Sequence, residues 1–161
     1  MAARAPLFVL MPETDSGSTM HADLTLDSSL ESVDSAEELV LREARELGLD
    51  EDAQHYTSIA VRECMVNAVA HGNRYNGRKK VRLQVWRTEE SITVQIDDEG
   101  DGFDHDEVPN PLEEENLMRH SGRGLLMIRA FMDETTVTRR VPKGTCVRMV
   151  KYLRPPAAGN S

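Results

Sequence analysis

A chain of 161 residues carrying a net charge of −9 is the size of one domain, and its acidity opposes the long-range attraction to phosphate backbones on which nucleic-acid binding relies. With 39% hydrophobic and 29% charged residues and no apolar run near the ~20 residues a bilayer span needs, the composition is that of an ordinary soluble protein. APLFVLMP near the start lacks the basic flank and cleavage site of a secretory signal, and Cys64 and Cys146 have neither CxxC spacing nor the density of a disulfide framework, so a cytoplasmic location is expected.

Residues 1–20 mix Pro, Gly, Ser and Thr without periodicity and are expected to be a flexible lead-in, with 155–161 a flexible tail and 21–154 the folded domain. ADLTLDS alternates Leu24 and Leu26 with polar neighbours, which predicts a half-buried opening strand. Ser35 and Glu38 have capping-box spacing, Val33, Val40, Ala44 and Leu47 suggest an apolar helical stripe, and Gly48 stands at a C-cap position, which predicts a helix over about 35–47. A second helix is predicted from about Asp52 to Ala70, ended by His71-Gly72-Asn73.

VRLQVW and SITVQID alternate around RTEE and predict a β-hairpin. Residues 97 to about 121 are rich in Gly, Asp, Glu, Asn and Pro, and a loop of that length in a small domain predicts a lid over a ligand. GRGLLMIRAFMDE predicts a glycine-opened helix, and TTVTRRV and TCVRMVKYL predict a closing hairpin turned at Pro142-Lys143-Gly144. The element order is α+β.

Three groups of residues can carry chemistry. Glu63 and Asn67 stand four apart and therefore share one helix face, ~6 Å from each other, where a carboxylate can take a proton and an amide oxygen can ligate a hard cation. Exposed Glu and Asn at that spacing are also what a solvated helix face carries. Asp98, with Gly100 and Gly102, follows a strand directly. Its carboxylate can accept a hydrogen bond from an exocyclic amine in a space the glycines leave open, or the segment is simply a turn. A calcium loop starting at Asp97 fails, since Glu99 and Val108 occupy its third and twelfth positions. Gly122, Arg123 and Gly124 open a helix, where free N–H groups and missing side chains suit phosphate. Arg123 either touches that phosphate or points into water.

Read in order, E-x-x-x-N-A-V-A-H-G (63–72), D-E-G-D-G-F (98–103), S-G-R-G-L (121–125) and K-G-T-C-V (143–147) resemble the GHKL ATPase superfamily. Within it, the chain is most similar to the anti-sigma factor serine/threonine kinases of bacterial partner-switching systems, over about residues 22–152. The resemblance implies a Bergerat ATP-binding fold, a two-layer sandwich of a mixed, mostly antiparallel sheet with helices on one face. It implies ATP and Mg2+ as cofactors, Glu63 as catalytic base, and Asn67 as the Mg2+ ligand. It further implies Asp98 at the adenine amine, Gly100 and Gly102 around the base, Gly122 and Gly124 at the phosphates, and Thr145 supporting the adenine end. Arg119 and Arg123 are the basic lid residues whose places vary among relatives.

The same resemblance implies an anti-anti-sigma (STAS-type) protein as substrate, a sigma factor as competing partner, and a homodimer, with no nucleic acid or membrane bound directly. An ATP-gated binding protein with little turnover carries the same motifs. A histidine-kinase catalytic domain is disfavoured because only about 50 residues precede the Glu63 helix, too few for a two-helix phosphoacceptor hairpin. A gyrase- or repair-type ATPase is disfavoured because no transducer domain follows residue 154.

Overall fold

Val81, Leu83 and Val85 alternate with polar residues, as do Ile92, Val94 and Ile96, and each set is completely or almost completely buried, so the two runs form adjacent strands with one face turned to a core. The computed structural model describes residues 17–100 and 124–154. Five strands are present among them: β1 (Thr19–Asp27), β2 (Lys80–Arg87), β3 (Ser91–Asp97), β4 (Glu134–Arg139) and β5 (Thr145–Tyr152). They pair in the order β1-β2-β3-β5-β4, with Val85 opposite Val94 and Val94 opposite Met149 at the centre. Every pairing among the described residues is antiparallel, so the mixed character expected of the sheet is not seen there.

The inward face is covered by α1 (Leu30–Leu47), α2 (Glu51–Val66) and α3 (Gly124–Phe131). Val33, Val40 and Ala44 of α1, Val61 and Met65 of α2 and Ile128 of α3 join Leu83, Ile96 and Met149 of the sheet in one apolar core. The result is an α+β two-layer sandwich. No helix among the described residues is long and apolar enough to cross a membrane.

Two helix boundaries differ from the sequence expectation. α1 starts five residues early, because Ser29 is its N-cap and its side chain accepts from the Ser32 backbone N–H. Ser35 lies inside the helix, where its hydroxyl donates back to the Glu31 carbonyl at 3.1 Å, a local bond that leaves it no capping role. Gly48 does end α1, at φ 97°, with its N–H on the Ala44 and Arg45 carbonyls. α2 is capped by Asp50, which accepts from the Ala53 N–H at 2.7 Å. Regular α geometry stops at Val66, and Asn67–Gly72 continues as a π-helical turn. Such widened turns recur at functional sites because they redirect side chains without ending the helix.

β1 also begins earlier than its Leu24 and Leu26 alternation indicates, with a bulge between Met20 and Ala22. Both thiols are free. Burial holds the Cys64 thiol well above its ordinary pKa and pushes that of Cys146 up to about 12, the behaviour of inert packing residues.

Candidate nucleotide-binding site

The π turn has candidate site residues at both ends. At its start, Asn67 lies one turn beyond Glu63, and both are half-buried. α3 packs against α2 there, and its first residue, Gly124, is buried against this pair. A Cβ on Gly124 would lie 3.0 Å from Glu63 Oε2 and 3.1 Å from Asn67 Nδ2. The N-terminus of α3, with its unsatisfied N–H groups and partial positive charge, is therefore held directly beside a carboxylate and an amide. The spacing of Glu63 and Asn67 placed them on one face, and the structure adds the helix that faces them.

At the end of the π turn, Gly72 meets the segment that leaves β3. Asp98 is the first residue beyond that strand and is 7% exposed. Its backbone N–H donates to the Thr145 carbonyl at 2.9 Å, and its Oδ1 accepts from the N–H groups of Gly100, at 3.0 Å, and Thr145, at 3.1 Å. Among the described residues no donor is placed on Oδ2, which faces Gly72: a Cβ there would lie 2.5 Å from it. Gly100 comes closer still to the π turn, since its Cβ would fall 2.2 Å from the Gly72 carbonyl oxygen. The missing side chains are what allow the three backbones to converge on one carboxylate.

Two further residues fix this geometry. Asn73, 1% exposed, accepts from the Glu99 N–H at 2.8 Å and donates to Ser28 Oγ at 2.9 Å and the Lys80 carbonyl at 3.0 Å. It ties the Asp98 loop to the ends of β1 and β2. Gly144, at φ 109°, brings the β4–β5 turn onto the Asp98 carbonyl, where a Cβ would lie 2.0 Å away.

Burial pushes the Asp98 carboxyl up to about 6, with the Gly100 and Thr145 N–H groups and Arg140 pulling it down and Asp97 opposing them. An exocyclic amine donating to Asp98 needs the ionised form. Between pH 7 and pH 5 the ionised fraction of such a group falls from about 0.9 to about 0.1, so adenine-nucleotide affinity is expected to fall about tenfold over that range. Titration calorimetry checks this as the ratio of wild type to Asp98→Asn at each pH, which cancels the titration of the nucleotide's own phosphates. A ratio independent of pH would contradict it.

The donor set also suits a hard divalent cation. Asn67 supplies a neutral amide oxygen beside the Gly124 cradle. Mg2+ accepts such a ligand when phosphate oxygens and waters provide most of its shell.

The residues singled out in the sequence thus form two groups, Glu63, Asn67 and Gly124 in one, Asp98, Gly100 and Thr145 in the other. Gly102, Gly122 and Arg123 lie outside the described residues, as do Arg119 and the expected lid beyond Gly100, while Asp97, expected to open that lid, ends β3. Gly72, Asn73, Arg140 and Gly144 were given no part in the site by the sequence. For Gly72 and Gly144 the signal was present, since both belong to the quoted motifs. Asn73 and Arg140 left none, because their contacts join residues 26 and 42 positions apart.

Comparison with known proteins bears on the family and the fold. The family described as the histidine kinase-like ATPase domain matches residues 26–151. Serine-protein kinases RsbW of Staphylococcus aureus strains JH9 and Newman are each 32% identical over 103 residues, 60% of this chain. The chain spans 64% of the length of these curated relatives. In solved structures, the fold resembles the RsbU and RsbW domains of Rv1364c from Mycobacterium tuberculosis, with a TM-score of 0.58, 19% identity, and coverage of 87% of this chain and 35% of that one. Two glycine-lined groups of polar residues at the two ends of one helical turn, on an antiparallel sheet backed by helices, therefore have a family: the chain belongs to the histidine kinase-like ATPases, the GHKL fold, and is similar within them to the RsbW serine-protein kinases.

Proposed function

We propose that the chain is an ATP-dependent protein serine/threonine kinase, cytoplasmic and built on residues 21–154, that works as an anti-sigma factor in a bacterial partner-switching system. The observation that carries this reading is the close approach of Gly124 to both Glu63 and Asn67, which sets the N-terminus of α3 against a carboxylate and an amide. Adenine would lie beside the Gly72–Gly100 contact with its amine on Asp98, and the phosphates would reach the start of α3. Gly102 would extend the base pocket, and Gly122 and Arg123 the phosphate contacts.

In this reading Glu63 orients a partner's Ser or Thr hydroxyl and takes its proton as the oxygen bonds to the γ-phosphorus and the bond to the β-phosphate oxygen breaks, leaving ADP. Asn67 would hold the Mg2+, which offsets phosphate charge when bound. Positioning and electrostatics supply most of the catalysis in such transfers. The product carries roughly −1.5 to −2 additional charges, enough to expel the partner from an interface through repulsion and desolvation. The substrate would be a STAS-type anti-anti-sigma protein and the alternative partner a sigma factor, held by a homodimer of the kinase. Similarity to proteins named serine-protein kinase supports the acceptor chemistry.

Purified protein mixed with Mg2+, ATP and an anti-anti-sigma protein encoded in the same genome tests the reading. A phosphoserine or phosphothreonine mapped on that protein is expected. Nucleotide-dependent association without transfer would replace it with an ATP-gated binding protein.

A further inference from the structure

Arg140, half-buried just beyond β4, is not among the residues that the proposed function uses. Its backbone N–H donates to the Gly144 carbonyl at 2.9 Å and closes the β4–β5 turn. Its side-chain Nη1 donates to the Asp98 backbone carbonyl at 2.6 Å. The same carbonyl is where Gly144 makes its close approach, so the turn and the guanidinium together clasp the main chain of Asp98, while the π turn meets its side chain.

We propose that Arg140 is a positioning residue for nucleotide recognition, clasping the Asp98 main chain and keeping a fixed positive charge beside its carboxylate so that the group accepts the adenine amine at neutral pH. This rests on the reading of Asp98 as the adenine acceptor. The other groups around Asp98 do not supply that charge. Asp97, beside it on the chain, opposes ionisation, and Cys64 of α2 and Cys146 of β5 are neutral thiols held above their ordinary range. Glu99 has an acidic side chain, and its N–H goes to Asn73. His71 and Lys143 are exposed on their turns. Among the described charges acting on Asp98, Arg140 is the one that favours the carboxylate.

Arg140→Gln keeps a side-chain N–H donor and removes the charge, whereas Arg140→Lys keeps the charge and loses the planar fork. Mg-ATP binding is measured from pH 5 to 8 on both variants, on wild type and on Asp98→Asn. Arg140→Gln is expected to move the pH at which affinity is half lost upward by about one unit, as loss of a nearby opposite charge does, with affinity recovering toward wild type at pH 8. Arg140→Lys is expected to leave that midpoint in place. A purely structural role would weaken binding equally at every pH, and that result, or wild-type binding by Arg140→Gln, overturns the proposal. If Arg140→Gln does not fold, a displaced midpoint in Arg140→Lys overturns it equally. Wild-type affinity in Asp98→Asn would instead remove the adenine reading on which it rests.

Discussion

Glu63→Gln is expected to lower phosphoryl transfer to the protein acceptor by about 10²–10⁴-fold, the usual contribution of a positioned general base, while Mg-ATP affinity changes by less than a few-fold. The substitution keeps the shape of the side chain against Gly124, where Glu63 Oε2 would be 3.0 Å from a Cβ, and removes its negative charge and its capacity to take a proton. In the proposed arrangement the two functions separate, since Glu63 would act on the acceptor's side of the transfer and binding would rest on Asp98 and Asn67. Asn67→Ala is the informative contrast, since loss of the cation ligand should weaken nucleotide binding as well as transfer. Transfer rates with labelled ATP and calorimetric affinities, measured on the same preparations, check both halves. Parallel loss of binding and transfer in Glu63→Gln would remove the base assignment.

Gly144→Ala is expected to be the most damaging single-methyl change among the described glycines. Its φ of 109° lies where side chains are strained, and the added carbon would meet the Asp98 carbonyl oxygen at 2.0 Å and the Glu99 Cα at 3.3 Å. Neither neighbour is the free end of a flexible side chain, so relief requires the backbone of the Asp98 loop to move. Backbone strain of this kind costs ~1–3 kcal/mol before the clash is added, against a total stability of about 5–15 kcal/mol for a typical domain. The denaturation midpoint should fall and nucleotide affinity with it, because the displaced segment carries Asp98, the proposed adenine acceptor. Gly77→Ala is the control: nothing lies within 4 Å of its Cβ, and its stability should change by no more than ~1 kcal/mol. Equal midpoints for the two variants would contradict the close approach.

What the sequence made legible was mostly what local pattern encodes. The β2–β3 hairpin, the Gly48 cap and the apolar faces of α1 and α2 follow from periodicity and capping chemistry, and the structure has them. The start of α1 was misread because Ser35 and Glu38 satisfy a spacing rule that Ser29 and Ser32 also answer with a shorter reach. The choice was settled by where the apolar face begins, at Val33. The π turn was hidden for a different reason. Its residues continue the apolar rhythm of α2, and widening becomes visible only when Asn73 N–H is found on the Ala68 carbonyl, five residues back. In the site, Glu63 and Asn67 were readable because four residues make one helical turn. The contacts of Gly72, Gly100 and Gly144 around Asp98 join distant parts of the chain, and no spacing encodes them.

The central claim is that one nucleotide bridges the two ends of the Asn67–Gly72 turn. A crystal structure of the protein with Mg2+ and a non-hydrolysable ATP analogue tests it most directly. The expected result is the adenine amine on Asp98 Oδ2, with Mg2+ on the Asn67 amide oxygen and phosphate oxygens at the N-terminus of α3. A nucleotide bound elsewhere, or one whose phosphates point away from Glu63 and Asn67, would contradict it.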